Sequence, residues 1–220
     1  MGRAKLLMDT RAPSKSIMAL VLVGAVMLCA PIFQQTDLFA AVRTDVVEYK
    51  LGDQVFEGYL AYDDWSRTRK PGVLLIHEWM GLGPYEKRRA EELAAMGYIV
   101  LAADIYGKGF RPRNAEEAKR TSGIYRNDRQ LLRARALAGL NVLKRQPFAD
   151  PARIAAIGYC FGGTTVLELA RAGADVKGVV SFHGGLDSPN PMDGKNIKAK
   201  VLVLHGADDP LVPQDQILAF

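Results

Sequence analysis

Between residues 44 and 62 polar and apolar positions alternate: Asp45, Val46, Val47, Glu48 and Tyr49, then Val55, Phe56, Glu57, Gly58, Tyr59 and Leu60, on either side of Gly52 and Asp53. Alternation around a short turn predicts an antiparallel hairpin at one edge of a sheet. The pattern then changes. Val73 to Ile76, Tyr98 to Ala103, Ile154 to Ile157, Val179 to Phe182 and Val201 to Leu204 are unbroken apolar runs, as expected of strands buried on both faces. Helical periodicity lies between them. Pro84 to Met96 has proline at its start and Gly97 at its end, and Asp128 to Arg145 carries Leu131, Leu132, Leu137, Leu140 and Leu143 at helical spacing. Alternating strands and helices predict an α/β sheet, mostly parallel, with helices on both faces. Asp104 to Arg113, rich in Gly, Lys and Arg, shows no periodicity, and loops of this kind at strand ends often touch ligand.

The first forty residues do not belong to that pattern. Arg3, Lys5, Arg11 and Lys15 precede an apolar run from Ile17 to Phe33, followed by the small residues Ala40 and Ala41. This is the layout of an export signal. The run is short for a hydrocarbon core of roughly 30 Å and Pro31 breaks it, which favours cleavage over anchoring. Leu38 makes a poor cleavage position, so a retained anchor stays open. Leu28 before Cys29 argues against lipid attachment. The expectation is a signal peptide or membrane anchor over 1–41 and one domain over 42–220, exported to the periplasm or secreted. Any membrane contact would run through the N-terminal segment.

The chain is 220 residues long, 49% hydrophobic and 24% charged, which fits one globular domain behind such a leader. Beyond residue 40 there are 25 Lys and Arg against 22 Asp and Glu, and these charges are spread rather than clustered, so nucleic-acid binding has no support. The two cysteines are Cys29 and Cys160. If the first leaves with the signal, Cys160 must be explained as a thiol.

Cys160 stands in Gly158-Tyr159-Cys160-Phe161-Gly162-Gly163, directly after the run Ile154 to Ile157 and before a helix expected over Thr164 to Ala172. A strand, a sharp turn and a helix form a nucleophile elbow, with glycines two positions either side giving strand and helix room to approach. The helix would turn its positive end toward the sulfur, lowering the thiol pKa. It would also leave the Phe161 N–H as an oxyanion donor. The bland reading is a buried structural cysteine; its place between strand and helix favours function.

Two further strand ends carry chemistry. His77-Glu78-Trp79-Met80-Gly81-Leu82-Gly83 follows Val73 to Ile76, where a second oxyanion N–H is supplied in such enzymes, here assigned to Trp79. A zinc-protease helix would need a histidine at Gly81, and neither a dinucleotide nor a P-loop glycine pattern is present. After Val201 to Leu204 comes His205-Gly206-Ala207-Asp208-Asp209-Pro210. Asp209 is taken as the acid that orients an imidazole, and Asp208 as a local cap.

These three segments, in this order and spacing, resemble the dienelactone hydrolase family of the α/β-hydrolase superfamily. The resemblance runs from about Val46 to the last residue and takes in Ala103-Asp104-Ile105-Tyr106-Gly107-Lys108-Gly109. It implies a hydrolase of carboxylic esters or lactones that uses no metal or organic cofactor. Cys160 is then the nucleophile, Asp209 the acid, and Glu78 the match of a glutamate that contacts the resting thiol. Where the family's dienelactone enzymes hold the substrate carboxylate with an arginine, this sequence has Lys108, a point charge without the guanidinium fork.

The family's histidine follows the acid further along than Phe220 reaches. The resemblance therefore implies a sequence that stops short of the last strand and helix, leaving an apolar sheet edge. His77, His183 and His205 all end apolar runs and are read as pocket-shaping rather than as the base. Without that histidine, Cys160 could be acylated but water would lack a base. The alternative is a fold that only binds a small molecule, or an inactive fragment of the same fold.

Overall fold

The structure, a computed structural model, describes residues 42–64 and 68–220. The expected leader and Cys29 lie outside the described residues. The hairpin forms as the alternation requires: β1 (Val42–Leu51) and β2 (Gln54–Asp63) pair antiparallel, with Leu51 opposite Gln54. Gly52 takes the left-handed conformation, φ +59, that such a two-residue turn demands.

The unbroken apolar runs become β3 (Lys70–Ile76), β4 (Ile99–Ala103), β5 (Ala149–Tyr159), β6 (Gly178–Phe182) and β7 (Lys200–Leu204). The seven strands form one sheet in the order β1-β2-β4-β3-β5-β6-β7. The hairpin joins it antiparallel through β2 and β4, and all later neighbours are parallel.

The helices are α1 (Pro84–Ala95), α2 (Ala115–Asn127), α3 (Arg129–Lys144), α4 (Phe161–Arg171) and α5 (Gln214–Ala219), with a 3₁₀ turn at Pro191–Asn196. Successive strand residues feed opposite faces, and two cores result. Leu74, Ile76, Ile99 and Leu101 pack with Leu132, Leu140, Leu143 and Leu167 of α3 and α4 on one face. Val73, Leu75, Val100 and Ala102 pack with Ala90 and Ala94 of α1 on the other. Helices therefore lie on both faces, as expected.

Helix α2 went unread because its buried face, Ala118, Thr121, Ser122 and Tyr125, is barely apolar. Its start was legible: Asn114 accepts the Glu117 N–H, and Glu116 and Glu117 fill the first turn. Helix α4 begins at Phe161, three residues before the expected Thr164, and all its residues to Arg171 are buried. That burial includes Glu168, whose carboxylate takes Arg133 at 2.7 Å and Arg171 at 2.8 Å. A buried charge persists only when paired in this way.

At the far edge, Val201, Leu202 and Leu204 of β7 are exposed. Truncation should separate centre from edge. Leu74→Ala, at a fully buried position in mid-sheet, should cost about 2–5 kcal/mol in urea unfolding. Leu202→Ala, on exposed β7, should stay within about 0.5 kcal/mol.

Candidate active site

Strand order reverses between β3 and β5: from β3 the chain moves on to β4 on one side, and from β5 to β6 on the other. A crevice opens at such a point beyond the carboxyl ends of the strands. His77, Glu78 and Trp79 follow β3, Asp104 follows β4, Cys160 follows β5, His183 follows β6, and Asp209 lies in the loop after β7.

Cys160 has φ 53 and ψ −113, a conformation that L-residues adopt at a cost of order 1–3 kcal/mol. The surrounding packing holds it there. A Cβ on Gly158 would lie 2.0 Å from the Gly162 carbonyl oxygen, and one on Gly162 would lie 2.3 Å from the Ile76 oxygen. The start of α4 thus crosses directly over the end of β3, with no space for a side chain. The Cys160 N–H donates to the Phe182 carbonyl at 2.8 Å, tying the bend to β6. The sulfur is half-buried rather than entombed.

The expected lowering of the thiol pKa does not occur. Burial pushes the Cys160 thiol up, and the charge of Glu78 adds to the rise. The Phe161 N–H and the Arg126 guanidinium act the other way without prevailing. Phe161 opens α4, so its N–H has no intrahelical acceptor. Arg126 comes from the last turn of α2, the unread helix, and sequence reasoning missed it. Tyr125 beside it packs on Tyr106 at 5.4 Å and Phe161 at 6.2 Å, carrying the end of α2 to the elbow.

Lys108 is placed elsewhere. It pairs with Glu48 on the exposed hairpin, and the cation beside the sulfur is Arg126. Glu78 does lie within electrostatic reach of the sulfur, and its own carboxyl is raised by burial and by nearby Glu86. It lines an open cleft of about 330 Å³ with Met80, Leu82, Tyr85 and Arg111.

The loop carrying Trp79 is fixed from below. His77 is fully buried; its Nε2 accepts the Ile105 N–H at 3.1 Å, so Nδ1 carries the proton and donates to the Glu78 carbonyl at 2.6 Å. Burial lowers its pKa. The same carbonyl accepts the Gly81 N–H at 3.2 Å, which sets the plane of the peptide that ends in the Trp79 N–H. Tyr106 donates to the Trp79 carbonyl at 2.8 Å. The loop 104–113 is ordered by buried Asp104, which accepts the N–H groups of Tyr106, Gly107 and Glu57.

Asp209 departs from the expected division of labour. Its Oδ1 accepts the Leu211 N–H at 2.9 Å, so it serves as the local cap assigned to Asp208. Its Oδ2 lies 2.6 Å from His183 Nδ1. These two bonds, His183 first, hold its carboxyl below the usual range. Asp208 is exposed. The three histidines therefore differ: His77 is sealed in the core, His205 Nε2 lies 3.2 Å from the Val212 carbonyl, and His183 hydrogen-bonds to Asp209.

Among the described residues no cluster of His, Cys, Asp and Glu could hold a metal ion, and no helix is long and apolar enough to cross a membrane. A doubly faced, mostly parallel sheet with a strained residue at the β5 to α4 turn defines the α/β-hydrolase class. The chain belongs to the dienelactone hydrolase family, whose model matches residues 56–220.

A dienelactone hydrolase-like promiscuous phosphotriesterase from metagenomic libraries superposes with a TM-score of 0.78 at 41% identity, covering 81% of this chain and 74% of that one. Protein usf of Aquifex pyrophilus is 27% identical over 177 residues, 79% of this chain and 75% of the relative. The carboxymethylenebutenolidase of Pseudomonas sp. (strain P51) is 31% identical over 114 residues, 49% of this chain and 48% of the relative. The family makes the chain a hydrolase.

The opposing charges beside Cys160 give a test in alkylation rate against pH. Glu78→Gln should lower the thiol pKa and speed reaction with iodoacetamide at neutral pH, whereas Arg126→Gln should raise it and slow the reaction. Equal rates in both variants would show that neither charge reaches the sulfur.

Proposed function

We propose that this chain hydrolyses carboxylic esters or lactones through Cys160. The observation that carries the reading is the strained Cys160 backbone at the switch point, with the Phe161 N–H turned onto the sulfur. Strain of this kind is kept where surrounding structure enforces it, and it clusters at reactive sites.

The resting group is a thiol. Glu78 is the carboxylate beside it, and its raised pKa narrows the gap across which the proton must pass. Transfer of that proton to Glu78 leaves a thiolate beside the Arg126 cation. The sulfur then bonds to the carbonyl carbon, and the carbonyl electron pair moves to oxygen. The N–H groups of Phe161 and Trp79 receive that oxyanion, in a site where preorganised donors are worth more than in water. Collapse breaks the carbon–oxygen bond, the leaving alkoxide takes back the proton held on Glu78, and a thioester remains on Cys160.

Hydrolysis of the thioester needs a base for water, and Asp209 is the acid that orients it. We assign that role to none of His77, His183 or His205. The substrate is a small ester or lactone, with no nucleic acid involved. Because Lys108 is engaged with Glu48, we do not assign it to a substrate carboxylate. For the N-terminal segment we retain the reading of an export signal or anchor, with the domain outside the cytoplasm.

An activated acetate ester should give a burst of alcohol close to one per chain, followed by slow turnover. Cys160→Ala should remove the burst. A burst of equal size in that variant would defeat the assignment of the nucleophile, and no burst from the parent chain would favour a fold that only binds.

A further inference from the structure

Cys160 and His183 are the two non-glycine residues with positive φ among the described residues, both at 53. They sit at the ends of neighbouring strands β5 and β6, and three contacts join them to the acid. The Cys160 N–H donates to the carbonyl of Phe182, the residue before His183, and the His183 N–H donates to the Leu204 carbonyl at the end of β7, both at 2.8 Å. The His183 imidazole then spans to Asp209 in the following loop at 2.6 Å. Gly184 leaves this strand end no slack: a Cβ there would lie 2.5 Å from Gly163 of the elbow helix.

Asp209 stands on a loop at the sheet edge, next to the exposed strand β7. Leu211, two residues along, fixes one carboxylate oxygen but cannot set the distance of the whole loop from β5. His183 is the contact that does so, because its backbone is pinned against the elbow helix. A carboxylate only accepts, so the imidazole Nδ1 is the donor in either charge state of the ring. The carboxylate has about four lone-pair sites, so the bond from His183 does not exhaust its capacity to accept.

We propose that His183 is a positioning residue, which fixes the Asp209 carboxylate in register with the Cys160 elbow. The proposal rests on the reading of Cys160 and Asp209 as nucleophile and acid. It separates the role of His183 from that of the base, because the side chain acts through Asp209 and not on the sulfur. His205 also acts on Asp209, and Asp208 precedes it in the same loop.

The experiment compares His183→Ala, His183→Asn and Asp209→Asn in the full chain. Carboxyl carbon NMR of the chain should show Asp209 titrating at higher pH in His183→Ala, and back toward its parent value in His183→Asn, whose amide can donate to the same oxygen. Steady-state ester turnover should fall about tenfold or more in His183→Ala through kcat, as a misplaced acid predicts. The double variant should be no slower than Asp209→Asn alone.

An unmoved Asp209 titration in folded His183→Ala, or additive losses in the double variant, would overturn the proposal. A burst that survives in Cys160→Ala would instead overturn the proposed nucleophile. The Asp209 titration is read without turnover, so it still decides the role of His183.

Discussion

The site depends on one close approach: the backbone at Gly162, where α4 begins, lies against the Ile76 carbonyl at the end of β3, with no room for a Cβ between them. That contact forces the chain leaving β5 to turn within a residue, and Cys160 absorbs the turn with a left-handed backbone. The strain is the cost of lifting the sulfur clear of the sheet while the first N–H of α4 stays beside it. Packing on both faces holds the bend closed, since α4 is buried along its whole length and β3 and β5 share seven paired positions.

Electrostatics at the bend are a balance rather than a simple activation by the helix. Burial outweighs the donors beside the sulfur, so the resting form is the thiol. Glu78 and Arg126, of opposite charge, then decide how readily the proton leaves. The two come from different elements, the loop after β3 and the end of α2, and aromatic packing of Tyr106, Tyr125 and Phe161 brings the second element in. Loop 104–113, without periodicity of its own, is made rigid by Asp104 and by the Arg135 contacts to the carbonyls of Ile105 and Tyr106.

Much of the fold was legible because its causes are local. Val73 to Ile76 and Tyr98 to Ala103 are strands because unbroken apolar runs suit a doubly covered sheet, and the spaced glycines around Cys160 announced a crowded turn. What stayed hidden depends on distant neighbours. The faintly apolar face of α2 concealed Arg126, whose partner lies in another element. Lys108 kept its place in the motif, yet Glu48 on the hairpin holds it, and no motif encodes that pairing. Sequence spacing treated His183 like His77 and His205, since only the folded loop after β7 brings Asp209 to it. The net direction of the thiol pKa was misjudged because a helix N-terminus is visible in a sequence, whereas the depth of burial is not.

If the sulfur at this bend bonds to substrate, the acyl group must be found on it. Acid quenching during the burst with an activated acetate ester, followed by proteolysis and mass spectrometry, locates that group. One acetyl group is expected, carried by the peptide that contains Cys160. An acetyl group on any other peptide, with Cys160 unmodified, would contradict that bond.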